Sequence, residues 1–405
     1  MPIALTAFSA LRHRNFRLFY GGQLLSLTGS WMQTTALGWL VYELTDSEFL
    51  LGLVTAMTAF PVLLFTLFAG VMADRLEKRR ILVTAQASML VVALVLAVMT
   101  HMGVITVGWI LLLVFLHGTG SAFEIPTRQS FFVDLVGKED LTNAIALNSS
   151  AFNLTRIVGP AAAGAIISAV SIAACFYLNA ASYLFVLGSL LAIRLPRFRP
   201  DPAPESKWDN LKEGFSYLRE DRVARSLITM VAAVSILGIP YATLMPVFAR
   251  DILEVGAQGL GYLLAAVGLG AVVGGFTMAA LGTRIPRGRL LFGSTIGFCV
   301  FLSAFALSPW FWLSMAMLVI FGFMMILTTA TANAIIQSQV PDRLRGRVMA
   351  VYVFMFLGMV PLGSLQAGAV ASWLGAPAAL TIGACLLLVT WLVLWSRAPN
   401  LRAVE

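Results

Sequence analysis

Twelve stretches of this sequence run for about 20 residues with almost no charge, the length that a helix needs to cross the hydrocarbon core of a membrane. Hydrophobic residues make up 59% of the chain and charged residues 11%, whereas soluble domains have about 45–50% apolar residues. The apolar–polar alternation of a membrane-spanning β-strand is missing. The sequence therefore predicts an all-α membrane protein with spans at residues 18–41, 48–72, 81–100, 104–124, 143–169, 172–193, 226–249, 258–281, 290–307, 310–331, 346–371 and 375–396.

Positive charges concentrate on one side of these predicted spans. Cytoplasmic loops collect Lys and Arg and external loops do not. With the N-terminus inside, only Arg250 falls outside and, apart from Arg347 at the cytoplasmic end of span eleven, only Arg156 falls within a span. An even number of spans also keeps Arg397 and Arg402 on the cytoplasmic side. We therefore expect both termini in the cytoplasm of a bacterial inner-membrane protein, and the net charge of +8 reflects topology without a nucleic-acid partner.

The N-terminus and the cysteines argue against other classes. The first apolar run follows Arg17, is long enough to span the membrane and has no small-residue cleavage site, so it is predicted to remain as an anchor. Cys175, Cys299 and Cys385 lie inside spans and are odd in number, so they favour neither a disulfide framework nor a metal site. We predict no cofactor and no metal.

Residues 18–90 match residues 227–299 at a constant offset. The offset of 209 aligns Ser26 with Ser235, Gly29 with Gly238, Leu51-Gly52 with Leu260-Gly261, and Arg75, Lys78 and Arg80 with Arg284, Arg287 and Arg289. Six intervening spans leave both copies running in the same direction, as in parallel transporter repeats. We predict a bundle at 1–193, a cytoplasmic linker with an amphipathic surface helix at 194–225, and a second bundle at 226–405, with substrate between the halves near mid-membrane.

The loop after span two carries a recognisable motif. Gly70 at a close helix crossing precedes Asp74, Arg75 and a basic cluster that ends at Arg80. This pattern resembles the signature loop of the major facilitator superfamily. The resemblance implies a cytoplasmic gate in which Asp74 faces a helix N-terminus, where the macrodipole favours negative charge. Thr283 stands at the equivalent place in the second half, so a one-sided gate is expected, with Arg128 included in it.

More of the chain resembles the enterobactin-exporter-like and macrolide-efflux-like branch of drug and siderophore exporters. The matching stretches are Leu11-Arg12-His13-Arg14-Asn15-Phe16, Phe123-Glu124-Ile125-Pro126-Thr127-Arg128-Gln129, Asn143-Ala144-Ile145-Ala146-Leu147-Asn148, Arg156-Ile157-Val158-Gly159-Pro160 and Arg345-Gly346-Arg347. The resemblance implies a monomeric secondary exporter, with a substrate that varies widely within the branch.

Proline and glycine mark possible bends in two spans. Gly159-Pro160 in span five is similar to the antiporter motif of exporter families, and Pro361 holds the related place in span eleven. Proline removes a helix hydrogen bond and permits a bend, while simple packing explains these residues equally well. Span four has Leu116-His117-Gly118 where the family often carries an arginine, which weakens a proton-coupling scheme borrowed from the drug antiporters.

Arg156 is the candidate that the sequence places deepest in the membrane. An unpaired charge there costs at least about 2.5–3.5 kcal/mol, so its side chain must face the protein interior. Asn148, Asn153 and Arg156 form a polar sector that could meet a polar or anionic substrate group. The alternative is a structural pair of Arg156 with Glu124 or with a polar group on a neighbouring helix.

Two titratable residues are candidates for proton coupling. Glu124 closes span four beside Pro126, and His117 lies seven residues earlier. A structural ion pair for Glu124 and a simple hydrogen bond for His117 are the alternatives. The remaining predicted pathway residues are Met32, Gln33, Tyr241, Asn333 and Gln366, for which packing or lipid contact is the alternative.

The leading function is secondary export of amphipathic small molecules by alternating access, driven by protons. A lysophospholipid flippase or a nutrient importer on the same scaffold is a second interpretation, with membrane lipid as the further partner. A membrane-embedded enzyme is disfavoured because His13, His101 and His117 have no metal-ligand spacing, and no phosphate-binding loop occurs. A non-transporting sensor is the alternative from another class.

Overall fold

The computed structural model describes residues 8–194, 207–281 and 285–398, apart from the side chains of Leu67, Val71, Asp74, Leu281 and residues 207–212 and 214. All regular structure in these ranges is helical. After a short 3-10 turn at Ser9–Arg12, the helices are α1 (Arg14–Thr45), α2 (Glu48–Arg75), α3 (Lys78–His101), α4 (Val107–Val136), α5 (Leu141–Ala169), α6 (Ile172–Ala192), α7 (Lys207–Glu220), α8 (Arg222–Ile252), α9 (Gly256–Leu281), α10 (Arg287–Ala306), α11 (Phe311–Gln339), α12 (Asp342–Leu374) and α13 (Ala376–Arg397).

Twelve of these helices match the twelve predicted spans, and α7 is the helix of the linker. Among the described residues, ten are both long and apolar enough to cross a membrane. The other two, α1 with 32 residues and α5 with 29, have the length but carry many polar side chains. The predicted linker residues 195–206, together with Thr283 and Arg284, lie outside the described residues.

Two helices contain irregular turns. In α8, π-helical turns at Val234–Gly238 and Phe248–Ile252 flank the α-helical segment Tyr241–Val247. The helix α12 is interrupted at Met359, between Gly358 and Val360. Turns of the π type cluster at functional positions in helices, and both irregular helices contain proline near the departure from α geometry.

The chain divides into two compact units, the first made of residues 1–40 and 60–204. Its hydrophobic core is rich in aromatic residues. Phe19 packs edge-on against Phe131 and Phe132 at centroid distances of 5.7 and 6.2 Å, and Phe16 meets Phe132 at 6.2 Å. These rings lock α1 against α4 and so fix the wall of the cavity described below.

The second unit comprises residues 41–59 and 205–405. A close helix crossing joins α9 to α11 through glycines. A Cβ added to Gly270 would lie 1.8 Å from the Val319 carbonyl oxygen, and one added to Gly322 would lie 2.2 Å from that of Val267. Only a residue without a side chain lets the two backbones approach this closely.

Candidate functional site

The first unit contains a cavity of about 210 Å³ whose wall includes several polar side chains. Five helices contribute to its wall: Gln23, Ser26, Leu27, Ser30, Trp31 and Thr34 from α1, Gln86 and Met89 from α3, His117, Ser121, Glu124, Ile125 and Arg128 from α4, Phe152 from α5, and Tyr183 from α6. Ionisable side chains within membrane helices, here Glu124, Arg128 and His117, indicate a functional site. Helix α1 carries many polar side chains, and several of them line this cavity.

A buried ion pair lies in the cavity wall. Arg128 Nε is 2.7 Å from Glu124 Oε1, one turn apart on α4, and the side chains are 10% and 9% exposed. Neither of these two atoms makes an aligned hydrogen bond, so charge attraction holds the contact. Arg128 also donates from Nη1 to Asn148 Oδ1 on α5 at 3.1 Å. The pair therefore joins α4 to the polar sector predicted on α5.

Two buried amides face the same cavity. Gln23 and Gln86 are 4% and 2% exposed, and the Oε1 atom of each is buried without a hydrogen bond from the described residues. A buried acceptor left unpaired costs about 1–3 kcal/mol. Gln86 was missed by the sequence analysis, although a lone amide within an apolar span was the signal that could have found it.

His117 and Tyr183 bond each other across the cavity. His117 Nε2 lies 3.1 Å from Tyr183 Oη, and Ser30 Oγ lies 3.4 Å from the same hydroxyl. Since His117 has this neutral partner, the structure agrees with the simple hydrogen bond considered for it. Its role in proton coupling remains a prediction.

The three residues of the predicted polar sector of α5 have different surroundings. Asn148 binds Arg128 as described, whereas Asn153 donates from Nδ2 to the Ser149 carbonyl of its own helix at 2.9 Å. Arg156 is half-buried and is not among the residues that line the cavity. Glu124 is paired with Arg128 in the structure, and a pair of Arg156 with Glu124 remains a prediction. Arg128, predicted for the cytoplasmic gate, is thus a cavity residue.

Other predicted pathway residues of the first unit lie in helix packing. Gln33 accepts a hydrogen bond from Asn179 Nδ2 at 2.7 Å, and both amides are buried. Met32 is 5% exposed. A Cβ on Gly159 would lie 2.5 Å from Trp31 Cβ and 3.2 Å from the Met32 nitrogen. Gly159 therefore permits a close crossing of α1 and α5, while Pro160 lies within the unbroken helix α5.

The predicted residues of the second unit have varied surroundings. Tyr241 is 4% exposed and meets Phe321 edge-on at 4.8 Å. Asn333 accepts from Gln337 Nε2, and Gln366 is half-buried. Pro361 follows the interruption of α12 by two residues. That position agrees with a bend, and its use in transport remains a prediction.

The loop between α2 and α3 is held by ion pairs of the basic cluster. Lys78 Nζ lies 2.9 Å from Asp134 on α4, and Arg80 Nε lies 2.7 Å from Glu77. Gly70 is buried and Arg75 is exposed. The side chain of Asp74 is not among the described side chains. The cytoplasmic gate therefore remains a prediction.

A cluster of four side chains at the end of α1 and of α8 was not predicted. Arg250 lies 2.6 Å from Asp46 and donates to the Tyr42 carbonyl at 3.1 Å, with its guanidinium 5.2 Å from the centre of the Tyr42 ring. Tyr42 Oη donates to Asp251. We name these four residues the terminal cluster. Tyr42 and Asp251 share the repeat offset of 209, which was the available signal.

Twelve membrane-length helices among the described residues, with a buried ion pair beside a cavity of the first unit, form an all-α membrane fold of the major facilitator type. The comparisons with known proteins agree. Residues 5–405 match the family model described as transmembrane secretion effector. The chain therefore belongs to the transmembrane secretion effector family of the major facilitator superfamily.

Relatives with names that describe a function cover most of the chain. The staphyloferrin A transporter of Staphylococcus aureus is 26% identical over 352 residues, 86% of this chain and 87% of that protein. The enterobactin exporter of Shigella flexneri is 26% identical over 389 residues, 93% of this chain and 92% of that protein. A bacterial homologue of the human lysosomal transporter Spinster has the same fold, with a TM-score of 0.73, 16% identity and coverage of 96% of each chain.

Proposed function

We propose that this chain is a secondary exporter of the bacterial inner membrane that moves amphipathic small molecules, of siderophore or drug type, in exchange for protons. The observation that carries this proposal is the buried Glu124–Arg128 pair in the wall of a cavity. The staphyloferrin A transporter and the enterobactin exporter, each 26% identical over most of the chain, support a siderophore-like substrate.

Proton coupling is assigned to Glu124. It is the one carboxylate among the described residues that line the cavity, where it faces Arg128, His117 and Tyr183. A proton on Glu124 neutralises the carboxylate and leaves the buried charge of Arg128 without a counter-charge. An uncompensated buried charge is destabilising. A substrate group that binds the carboxylate replaces the proton. Proton and substrate then occupy Glu124 in turn, which is the condition for exchange.

Alternating access is assigned to the two sets of six spans, residues 1–193 and 226–405, within a monomer that has both termini in the cytoplasm. On this orientation the terminal cluster lies at the external end of α1 and α8, and Asp74 lies in the cytoplasmic gate. An external opening that separates α1 from α8 must break the Arg250–Asp46 pair. The interruptions in α8 and α12 support bending in these helices.

The proposal is tested by flux from proteoliposomes loaded with enterobactin, with and without an imposed pH gradient. A gradient directed to drive export should accelerate release by the unmodified protein. Glu124→Gln should transport at a rate that no longer responds to the gradient, because the amide cannot exchange a proton. Glu139→Gln, an exposed carboxylate beyond the end of α4, is the matched control.

A full response to the gradient in Glu124→Gln would overturn the assignment of the proton site. Absence of enterobactin flux together with movement of a labelled lysophospholipid in the same vesicles would favour the flippase interpretation instead. Glu139→Gln should retain both the rate and the gradient response of the unmodified protein.

A further inference from the structure

The polar groups of the cavity are mostly hydrogen-bond acceptors. Gln23 and Gln86 are each less than one tenth exposed and carry a buried Oε1 atom that accepts no hydrogen bond from the described residues. The buried Glu124 carboxylate lies in the same wall, with Arg128 Nε 2.7 Å from its Oε1 atom. Buried polar atoms in native proteins are almost always paired. Two unpaired acceptors beside a carboxylate in the wall of one cavity therefore indicate a ligand that supplies donors.

The hydroxyl groups of the wall add to this excess of acceptors. Ser30 donates to the Ser26 carbonyl at 2.9 Å, Thr34 to the Ser30 carbonyl at 2.9 Å, and Ser121 to the His117 carbonyl at 3.1 Å. A hydroxyl has one proton and two lone pairs. Since each proton is used within its own helix, each oxygen keeps lone pairs with which it can accept from a ligand.

The strongest donor in the wall is already engaged. The charge of Arg128 is balanced by Glu124 at 2.7 Å, and Arg128 Nη1 donates to Asn148 at 3.1 Å. His117 Nε2 and the Tyr183 hydroxyl bond each other at 3.1 Å. Because Arg128 is already paired, a ligand carboxylate would lie beside the acceptor oxygens of Glu124, Gln23 and Gln86 without a counter-charge. Burial of an uncompensated charge is energetically costly.

An aromatic corner adjoins these acceptors. The rings of Trp31 and Phe152 meet edge-on with their centroids 5.5 Å apart, and both residues line the cavity. A flat apolar or aromatic ligand body can pack on such rings, while a cation beside them gains from the ring electrons. The corner therefore suits the apolar part of an amphipathic molecule.

We propose that the cavity binds the donor-bearing head of an amphipathic substrate, a head with hydroxyl, amide N–H or ammonium groups and no carboxylate, with its apolar body on Trp31 and Phe152. This inference rests on the proposed transport function and names the substrate class of the same site. Glu124 binds the most basic donor of the head, and Gln23 and Gln86 accept from its other donors.

Three dansyl probes with tails of equal length that end in an ammonium, a hydroxyl or a carboxylate group test this inference. Binding to the purified full-length protein in detergent is followed by energy transfer from tryptophan. We expect the amine and the alcohol to bind at least about tenfold more tightly than the acid, the effect of one hydrogen bond to a charged group. Equal or tighter binding of the acid overturns the inference.

Variants assign the selectivity to individual residues. Glu124→Gln should weaken the amine about tenfold and leave the alcohol nearly unchanged, because only the ammonium uses the charge. Gln86→Glu adds a second carboxylate, so it should tighten the amine and weaken the acid. Gln258→Leu, an exposed amide that bonds Tyr262 in the second unit, is the matched control and should change no affinity.

The probe assay and the flux assay test the two proposals separately. If the acid binds as well as the amine while flux still depends on Glu124 and the pH gradient, the donor-head inference is wrong and the exporter proposal stands. If the amine is selected in detergent but no gradient-driven flux occurs, the exporter proposal is wrong and the binding chemistry stands.

Discussion

At the scale of single residues, the Glu124–Arg128 pair affects both the stability of the fold and the chemistry of the candidate site. Removing one member of a buried pair leaves an uncompensated charge, at a cost of about 3–5 kcal/mol, whereas replacing both members with apolar residues is often neutral. Arg128→Leu should therefore lower the thermal midpoint more than Glu124→Leu combined with Arg128→Leu.

Size-exclusion profiles after heating the protein in detergent measure these midpoints. The exposed Arg80–Glu77 pair provides the control, because Arg80 is 84% exposed and such pairs contribute at most about 1 kcal/mol. Arg80→Leu should have a midpoint close to that of the unmodified protein. A double variant less stable than Arg128→Leu would contradict the burial argument.

Asp140 makes the stability of the fold depend on pH. Hydrogen bonds from Ser9 and His13, the latter at 2.7 Å, hold the pKa of this carboxyl below its ordinary value of 3.8. A carboxylate with a lowered pKa in the folded state stabilises the fold above its ordinary pKa, and this contribution is lost as the pH falls through the folded-state pKa.

Asp140→Asn should therefore lower the thermal midpoint at pH 7, and the difference from the unmodified protein should shrink as the pH falls below about 4. Thermal midpoints measured from pH 7 to pH 3 test this. Glu139→Asn, at the neighbouring exposed residue, should show no such dependence. A constant difference for Asp140→Asn over the whole range would show that its carboxylate charge does not stabilise the fold.

At the scale of helices, close crossings depend on glycine, as between α9 and α11. Gly270→Ala would bring a methyl group to 1.8 Å from the Val319 carbonyl oxygen, whereas an added Cβ at Gly275 on the same helix meets nothing within 4 Å. Overpacking costs about 1–3 kcal/mol, so Gly270→Ala should be clearly destabilised.

Gly275→Ala is the matched control and should be as stable as the unmodified protein or slightly more so, because alanine favours helix by about 0.5–1 kcal/mol over glycine. Thermal midpoints and the yield of monodisperse protein measure both variants. Similar midpoints for the two alanine variants would mean that the α9–α11 crossing tolerates a side chain at residue 270.

Hydropathy predicted where the helices lie, but their ends and their irregular turns depend on other forces. The first span was predicted at 18–41, and α1 covers Arg14–Thr45. Hydropathy detects only the lipid-facing length, whereas hydrogen bonding continues into the polar ends. The π-helical turns of α8 depend on packing. Ser235 in one of them donates to the Phe356 carbonyl on α12, a contact that no local pattern specifies.

The side chains of the site were predicted less well than the helices that carry them. Glu124, Asn148 and His117 were selected for polarity at membrane depth, and all three lie at or beside the cavity. Their partners were not identified. Arg128 is four residues from Glu124, the spacing at which side chains on one helix meet, and applying that rule would have identified it as a partner of Glu124.

At the scale of the whole molecule, the proposed orientation places the end of α1 and the end of α8 on the external side. Transport then requires these two ends to separate once in each cycle. The terminal cluster sets the free energy of that step, since Arg250 engages Asp46, Asp251 and the Tyr42 carbonyl together. Arg250→Gln should therefore shift the population towards the externally open form.

The shift can be measured at Val41, which is fully buried beside the cluster. In a background with Cys175, Cys299 and Cys385 replaced by alanine, a membrane-impermeant maleimide applied to intact spheroplasts should label Val41→Cys slowly. Arg250→Gln should accelerate that labelling several-fold. Arg289→Gln, at the predicted cytoplasmic end of α10, should leave the rate unchanged. Equal rates in all three backgrounds would mean that the cluster does not hold α1 and α8 together. Faster labelling only in inverted vesicles would reverse the proposed orientation, because the reagent would then reach residue 41 from the cytoplasmic side.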